Sequence, residues 1–261
     1  MLRCPVCRQN LKVNGKAAVC SNGHSFDYAK EGYLNLLRTS KSGDKIGDDK
    51  QSARSRRDFL NRGYYSPLRD YLVRYFKDCT GSLLDICCGE GYYTSALGQR
   101  TALEVYGFDI SKEMIRLAAK RGYGTYFVAN MSDIPVGDGC FDYAIHLFAP
   151  FQEQSFARIL KPGGKLLTVI PGSRHLLGLK EAVYDSAYLN DEVLPQTNIL
   201  KLTSVERVES KITLLSPEDI DAVFRMTPYY FHTAQKDKEK LLSYTSLDTE
   251  ISYVIGIYEK I

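Results

Sequence analysis

The stretch SLLDICCGEGYYTS, residues 82–95, constrains the fold more than any other part of the chain. An apolar run ends at Ile86, glycines follow at 89 and 91, and a helical pattern starts near Tyr92. A strand that turns through glycine into a helix lets the backbone approach a ligand closely and aims the unpaired N–H groups of the helix start at it. A tight turn with no ligand accounts for the same residues equally well. Twenty residues after Gly89, Asp109 falls at the carboxyl end of a second apolar run, EVYGFDI. A carboxylate at the carboxyl end of a second strand accepts hydrogen bonds from both hydroxyls of a ribose. Nicotinamide and flavin proteins share that arrangement, but the third glycine of their G-x-G-x-x-G is absent here, where Tyr92, Tyr93 and Thr94 follow Gly91.

The pattern around the turn alternates. Residues 68, 71, 72, 75 and 76 are apolar or aromatic at the spacing of one helix face. SKEMIRLAAKRG reads as a helix capped by Ser111, and TYFVAN and CFDYAIHLF as strands three and four. ARILKPGGKLLTVI gives a helix end, a Pro-Gly-Gly turn and a fifth strand. Farther on, a helix is expected over 173–189, a strand over 205–215, a capped helix over 216–228 and a closing strand over 250–260. Strands separated by helices imply an α/β fold whose sheet is covered on both faces.

Together, the acidic strand, the G-x-G, the acidic end of strand two, the polar residue after strand three and the KPGG resemble class I S-adenosylmethionine-dependent methyltransferases. That resemblance implies a Rossmann-like, mostly parallel seven-stranded sheet. It also implies that Asn130 and Met131 lie beside the adenine, with Asp133 a further contact, alongside Gly89, Gly91 and Asp109. Cys87 stands where such proteins usually have their first glycine, and with Cys88 it reads as a small buried residue.

The N-terminus carries a second constellation. Cys4, Cys7, Cys20 and His24 are spaced C-x2-C-x12-C-x3-H, two close pairs that a loop can bring together tetrahedrally around zinc. Four protein ligands close the coordination shell, so the zinc is structural, and a module of about 35 residues needs metal ligation to fold. An odd total of seven cysteines argues against a disulfide framework. The expected organisation is a zinc-binding unit over 1–37, a linker and basic helical segment over 38–65 and the catalytic domain over 66–261. No apolar run approaches about 18 residues and no basic-then-apolar leader opens the chain, so the expectation is a cytoplasmic protein with no membrane partner.

Residues 4–7 (CPVC), 20–38 (CSNGHSFDYAKEGYLNLLR), 59–68 (FLNRGYYSPL), 84–93 (LDICCGEGYY) and 161–176 (KPGGKLLTVIPGSRHL) resemble, in order, the bacterial 23S ribosomal RNA guanine-N1-methyltransferases. The resemblance is weakest over 190–261. It implies methyl transfer to N1 of a guanine in a hairpin loop of 23S rRNA, with the zinc unit helping to grip the RNA. It also implies cofactor contacts from Tyr65 and His175 together with Gly89 and Glu90. Read without it, Tyr65 is a core aromatic at a helix start and His175 a polar helix-start residue.

Methylating guanine N1 requires in-line alignment with the methyl donor and loss of the N1 proton. The loop after strand four, His146 to Pro150, borders the methyl position in this fold; it lacks the D/N-P-P-F/Y of exocyclic-amine enzymes and the Pro-Cys of cytosine-C5 enzymes. His146 is either the base or a satisfied buried histidine. Phe148 and Phe151 either stack on a flipped guanine or pack in the core. Arg54, Arg56, Arg57 and Arg62 either contact phosphates or form a solvated helix face. The net charge of +3 decides nothing. Two other readings stand beside this one: a small-molecule methyltransferase acting on, for example, a quinone precursor, and a non-enzymatic RNA-binding or assembly factor. A homodimer is left open.

Overall fold

The computed structural model describes residues 1–38 and 50–261; the expected linker over 39–49 lies outside the described residues. The N-terminal unit is an antiparallel meander of β1 (Lys12–Asn14), β2 (Ala17–Val19) and β3 (Ser25–Asp27), followed by the short β4 (Leu34–Asn35). Two helices follow, α1 (Lys50–Asn61) and α2 (Ser66–Tyr75), broken apart at Gly63, whose φ of 84° only glycine adopts without strain. The alternating body then runs β5 (Thr80–Ile86), α3 (Tyr92–Arg100), β6 (Ala102–Asp109), α4 (Lys112–Arg121), β7 (Thr125–Val128), β8 (Phe141–Leu147), α5 (Glu153–Ile159), β9 (Leu160–Pro171) and α6 (Leu177–Val183). The chain closes with β10 (Leu200–Leu214), α7 (Pro217–Arg225), α8 (Gln235–Lys240) and β11 (Leu247–Lys260).

Among the described residues the main sheet has eight strands in the order β10-β11-β9-β8-β5-β6-β7-β4. Seven belong to the α/β body, as expected, and β11 runs antiparallel between β9 and β10. The eighth comes from the N-terminal unit: Leu34 and Asn35 pair in parallel with Phe127 and Val128 of β7. Covering that edge satisfies backbone groups that would otherwise template foreign pairing. Neighbouring residues of the central strands are buried on opposite faces, the pattern of a sheet with helices on both sides. Leu83, Ile145, Leu167 and Ile255 pack with α2, α3 and α7, whereas Leu84, Ala144, Leu166 and Tyr258 pack with α5 and with Leu34 and Leu36.

Two local expectations are corrected. Lys161-Pro162-Gly163-Gly164 is an excursion inside β9 instead of a turn before it. Phe141 of β8 pairs with Leu160, Tyr143 already pairs with Lys165, and Gly163 takes φ 72°. The helix expected over 173–189 is confined to Leu177–Val183. Beyond it the backbone finds side-chain partners in place of helical ones: Lys180 Nζ donates to the Tyr188 carbonyl (3.1 Å) and to Asn190 Oδ1 (2.6 Å). The Asn190 amide donates in turn to the Gly172 carbonyl at 2.9 Å and the His175 carbonyl at 3.2 Å.

Candidate cofactor, substrate and metal sites

The glycine turn is built for close approach. After β5, Cys87 takes φ 60°, Gly89 56° and Gly91 80°. The first of these positions would suit glycine; holding cysteine in the left-handed region costs about 1–2 kcal/mol. Cys87, partly buried, offsets part of this by packing, with its Sγ 3.7 Å from the Met131 sulfur. The two glycines differ in purpose. A Cβ on Gly91 would lie 2.8 Å from the Ala118 Cβ of α4, whereas one on Gly89 would point into open space. Gly91 therefore lets two helices pack, and Gly89 leaves a cradle over the turn.

Asp109 stands at the carboxyl end of β6, where it was expected, and its oxygens accept from the backbone N–H groups of Gly89 (3.0 Å) and Ser111 (2.8 Å). This ties the turn to the start of α4. Asn130 caps the short turn Met131–Asp133, its side-chain oxygen accepting from the Ser132 N–H at 3.0 Å. Asp133 forms an ion pair with Arg8 of the N-terminal unit. Beneath the turn Asp85 is fully buried; Thr94 donates to its Oδ2 at 2.5 Å and Oδ1 has no hydrogen-bond partner. Burial pushes this carboxyl up to about 7, the Thr94 hydrogen bond pulling it back and Asp109 adding to the rise.

Glu90 lies in the turn itself. Both of its oxygens are held by Arg121 of α4, at 2.5 and 2.9 Å, and the side chain is buried beneath the turn, so any cofactor contact from this position falls to its backbone.

Tyr65, at the start of α2, and His175, after β9, do meet, at 5.9 Å between ring centroids. Tyr253 of β11 joins them, 5.9 Å from Tyr65 and 4.8 Å from His175. Phe148, strained at φ 58° and 43% exposed, stands over Tyr253 at 5.5 Å. His175 Nδ1 accepts from the Ser252 N–H at 3.2 Å, which leaves the proton on Nε2. Burial first and Lys180 second push this imidazole down to about 3, so it is neutral. Tyr253 was not anticipated: EISYVIGIYEK reads as a strand, and nothing in it signals that antiparallel pairing sets Tyr253 opposite Pro171 at the carboxyl edge of the sheet.

His146 does not border open space. It is 1% exposed and packs on Phe151 and Phe156, and its Nε2 donates to the Pro150 carbonyl at 3.2 Å. Burial pushes it down to about 4 against the pull of those backbone carbonyls. It braces the loop that carries Phe148. Phe151 lies with it, packed on Phe156 and Tyr258 and apart from Phe148. Of the basic residues on α1, Arg54 is exposed, and Arg56 and Arg57 lie close enough to Glu90 to stabilise its charge. Arg62 is committed elsewhere, forming an ion pair with the buried Asp219 of α7.

In the N-terminal unit the ligand atoms of Cys4, Cys7, Cys20 and His24 all lie within 4.8 Å of one another. Cys4 Sγ is 3.6 Å and Cys20 Sγ 3.4 Å from His24 Nδ1, and the Cys7 and Cys20 sulfurs are 3.5 Å apart. Ligands about 2.0–2.3 Å from a tetrahedral zinc sit at such separations. Gly23, at φ 80°, makes the turn that brings His24 back to Cys20. The donor set fits zinc, and no ligand position is left for a reacting water.

The cradle over Gly89, the ribose-type carboxylate of Asp109 and the sheet order define a class I S-adenosylmethionine-dependent methyltransferase. A family model described as "RlmA, N-terminal" matches residues 2–42, and one described as "Methyltransferase domain" matches residues 83–164. The chain is 34% identical over 190 residues to a 23S rRNA (guanine(748)-N(1))-methyltransferase of Streptomyces fradiae, which covers 70% of this chain and 67% of that one. A putative 23S rRNA (guanine-N(1)-)-methyltransferase of Bacillus subtilis, YxjB, is 28% identical over 98% of this chain and 97% of its own. Phosphoethanolamine N-methyltransferase 2 of Haemonchus contortus, solved with S-adenosyl-L-methionine, shares the fold at a TM-score of 0.51 and 16% identity, over 96% of this chain and 71% of that one. The chain belongs to the 23S rRNA (guanine-N1)-methyltransferase family.

Proposed function

We propose that this protein transfers a methyl group from S-adenosylmethionine to N1 of a guanine in a hairpin loop of 23S rRNA, in the cytoplasm. The observation that carries this reading is the joining of the two sites. The zinc-type cluster and the cofactor turn are parts of one body, because Arg8 pairs with Asp133 and β4 extends the sheet beside β7. A zinc unit docked on the cofactor loop is a permanent part of the enzyme's surface, suited to a large substrate. Among the described residues no helix is long and apolar enough to cross a membrane.

The cofactor, when bound, supplies an electrophilic methyl group on a positively charged sulfur. Asp109 and the backbone around Gly89 would hold its nucleoside, with Asn130 and Met131 beside the base and Tyr65 and His175 toward the methionine end. Phe148 offers an exposed ring against which a flipped guanine stacks, and His146, through the Pro150 carbonyl, fixes the loop that presents it. Orientation supplies much of the rate. Arg54, Arg56 and Arg57 contribute positive charge beside the turn for RNA phosphates.

The test is methyl transfer from labelled S-adenosylmethionine to unmodified 23S rRNA, followed by mass mapping. N1-methylguanosine in one hairpin loop is the expected product. Incorporation into no RNA, by a protein that binds the cofactor, would turn the reading to a small-molecule substrate. A homodimer is distinguished from a monomer by light scattering on the same preparation.

A further inference from the structure

Among the buried oxygens with no hydrogen-bond partner in the described residues are Asp85 Oδ1, Tyr93 Oη and Tyr253 Oη. They come from three elements, β5, the first turn of α3 and β11, yet they gather at one place. Tyr93 adjoins Thr94, whose hydroxyl holds Asp85, and Tyr93 and Tyr253 share one buried cluster with Tyr65, which packs on Tyr253 at 5.9 Å. The place is the carboxyl edge of the sheet, just behind Gly91 and beneath Tyr65 and Phe148. Buried polar atoms are normally paired, so three orphans converging beside a ligand cradle mark where a ligand completes them.

We propose that Tyr93 and Tyr253 form the receptor for the sulfonium end of the cofactor and select the charged methyl donor over its neutral demethylated product. This rests on the function proposed above and adds to it the two residues that sense the transferable methyl.

The chemistry of the lining sets the sign of the ligand. The ring faces of tyrosines are electron-rich and attract cations. Both phenols are buried and their titration is pushed well above its usual range, so they stay neutral and present oxygen lone pairs. Asp85 adds a carboxylate held by a neutral hydroxyl, that of Thr94. A methyl group on positively charged sulfur has polarised C–H bonds, which phenol oxygens accept weakly and directionally. After transfer the sulfur is neutral and the methyl is gone, so the interaction ends while contacts to the nucleoside and the amino acid remain.

The experiment is isothermal titration of the purified zinc-loaded chain, without RNA, with S-adenosylmethionine and with S-adenosylhomocysteine, for wild type, Tyr93→Phe and Tyr253→Phe. Phenylalanine keeps the ring and deletes only the orphaned hydroxyl, and thermal melts of the ligand-free proteins check that both variants fold. The expected result is a loss of about 3- to 10-fold in affinity for S-adenosylmethionine, with the affinity for S-adenosylhomocysteine unchanged within about 2-fold. Ligand-free melting temperatures should be equal to wild type or higher, because an unsatisfied buried group has been removed. Equal losses for both ligands, or no loss for either, would overturn the proposal. A wild-type protein that binds neither ligand would instead overturn the function on which it rests.

Discussion

Arg121 of α4 grips both carboxylate oxygens of Glu90, Nε to Oε2 at 2.5 Å and Nη2 to Oε1 at 2.9 Å, and the same Nη2 donates to Asn61 of α1 at 2.7 Å. One guanidinium therefore joins the glycine turn, α4 and the basic helix. Burial pushes Glu90 up, and Arg121 opposes it. Removing one member of a buried pair leaves the other charge unpaired, which typically costs about 3–5 kcal/mol. Arg121→Met should therefore destabilise the protein by about that amount, and Glu90→Met combined with Arg121→Met should recover most of it. Urea denaturation of the three proteins checks this; equal losses in the single and double variants would show that the pair is not the source.

The two glycines of the turn should separate stability from binding. Gly91→Ala puts a methyl group 2.8 Å from Ala118 Cβ at φ 80°, so α3 and α4 must move apart. A loss of about 2–4 kcal/mol is expected, in the range of strain combined with overpacking. Gly89→Ala meets nothing within 4 Å and bears only the left-handed strain at φ 56°, about 1 kcal/mol. Its methyl group instead fills the cradle, and cofactor affinity should fall at least about 10-fold. Melting curves and calorimetric titrations of both variants decide it, and a Gly89→Ala protein with wild-type affinity would place the cofactor elsewhere.

The difference between these glycines shows what the sequence can and cannot reveal. Strand, turn and acidic partner were legible because their geometry is local: β5 must end where the glycines begin, and Asp109 must follow one helix later. The zinc ligands were legible for the same reason, as each pair lies within one turn. The side-chain partner of Glu90 was not legible, because Arg121 is 31 residues away and is brought to it only by the packing of α4. Tyr253 could not be found because its position depends on antiparallel insertion of β11 between β9 and β10, a property of sheet order. The surroundings of His146 were not legible either: alternation along β8 points it into the side that packs on Phe156, away from the aromatic group around Tyr253.

Metal removal should reach the cofactor site. The zinc-type cluster orders a unit whose backbone clamps the loop after β7: Arg3 N–H donates to the Pro135 carbonyl, Gly137 N–H to the Met1 carbonyl and Leu36 N–H to the Val128 carbonyl, at 2.8, 2.9 and 2.9 Å. Cys4→Ser, or chelation of zinc, should unfold residues 1–38, lower the melting temperature and weaken S-adenosylmethionine binding by about 10-fold or more. Arg8→Ala should keep the zinc and weaken binding by less than about 5-fold, because the Arg8–Asp133 pair is half-exposed and such pairs are worth at most about 1 kcal/mol. Zinc content by mass spectrometry and titration of the cofactor test both; undiminished affinity in the zinc-free protein would show the two sites to be independent.

Stability should depend on pH through groups acting in opposite directions. Asp85 is pushed up to about 7 by burial, against an unfolded value of about 3.9, so the folded chain holds a proton that the unfolded chain releases. Its contribution is full below about pH 4 and is lost as pH rises through 7. His146 and His175 are pushed down to about 4 and about 3 by burial, so their folded forms hold fewer protons than the unfolded chain. Their contribution is full above about pH 6.5 and is lost as pH falls toward 4 and 3. Between pH 6.5 and 4 the two effects oppose, and at roughly 1.4 kcal/mol per pH unit for each group the two histidines outweigh the single carboxyl. Wild type should therefore lose stability below about pH 6.5, earlier than carboxylates alone would cause. Asp85→Asn keeps an acceptor for Thr94 and removes the buried charge. It should raise ligand-free stability at pH 8 by up to roughly 4 kcal/mol, leave it nearly unchanged at pH 4, and steepen the acid limb between them. Urea midpoints from pH 4 to 8 measure this directly: a variant curve running parallel to wild type at every pH would mean that Asp85 ionises normally in the folded protein.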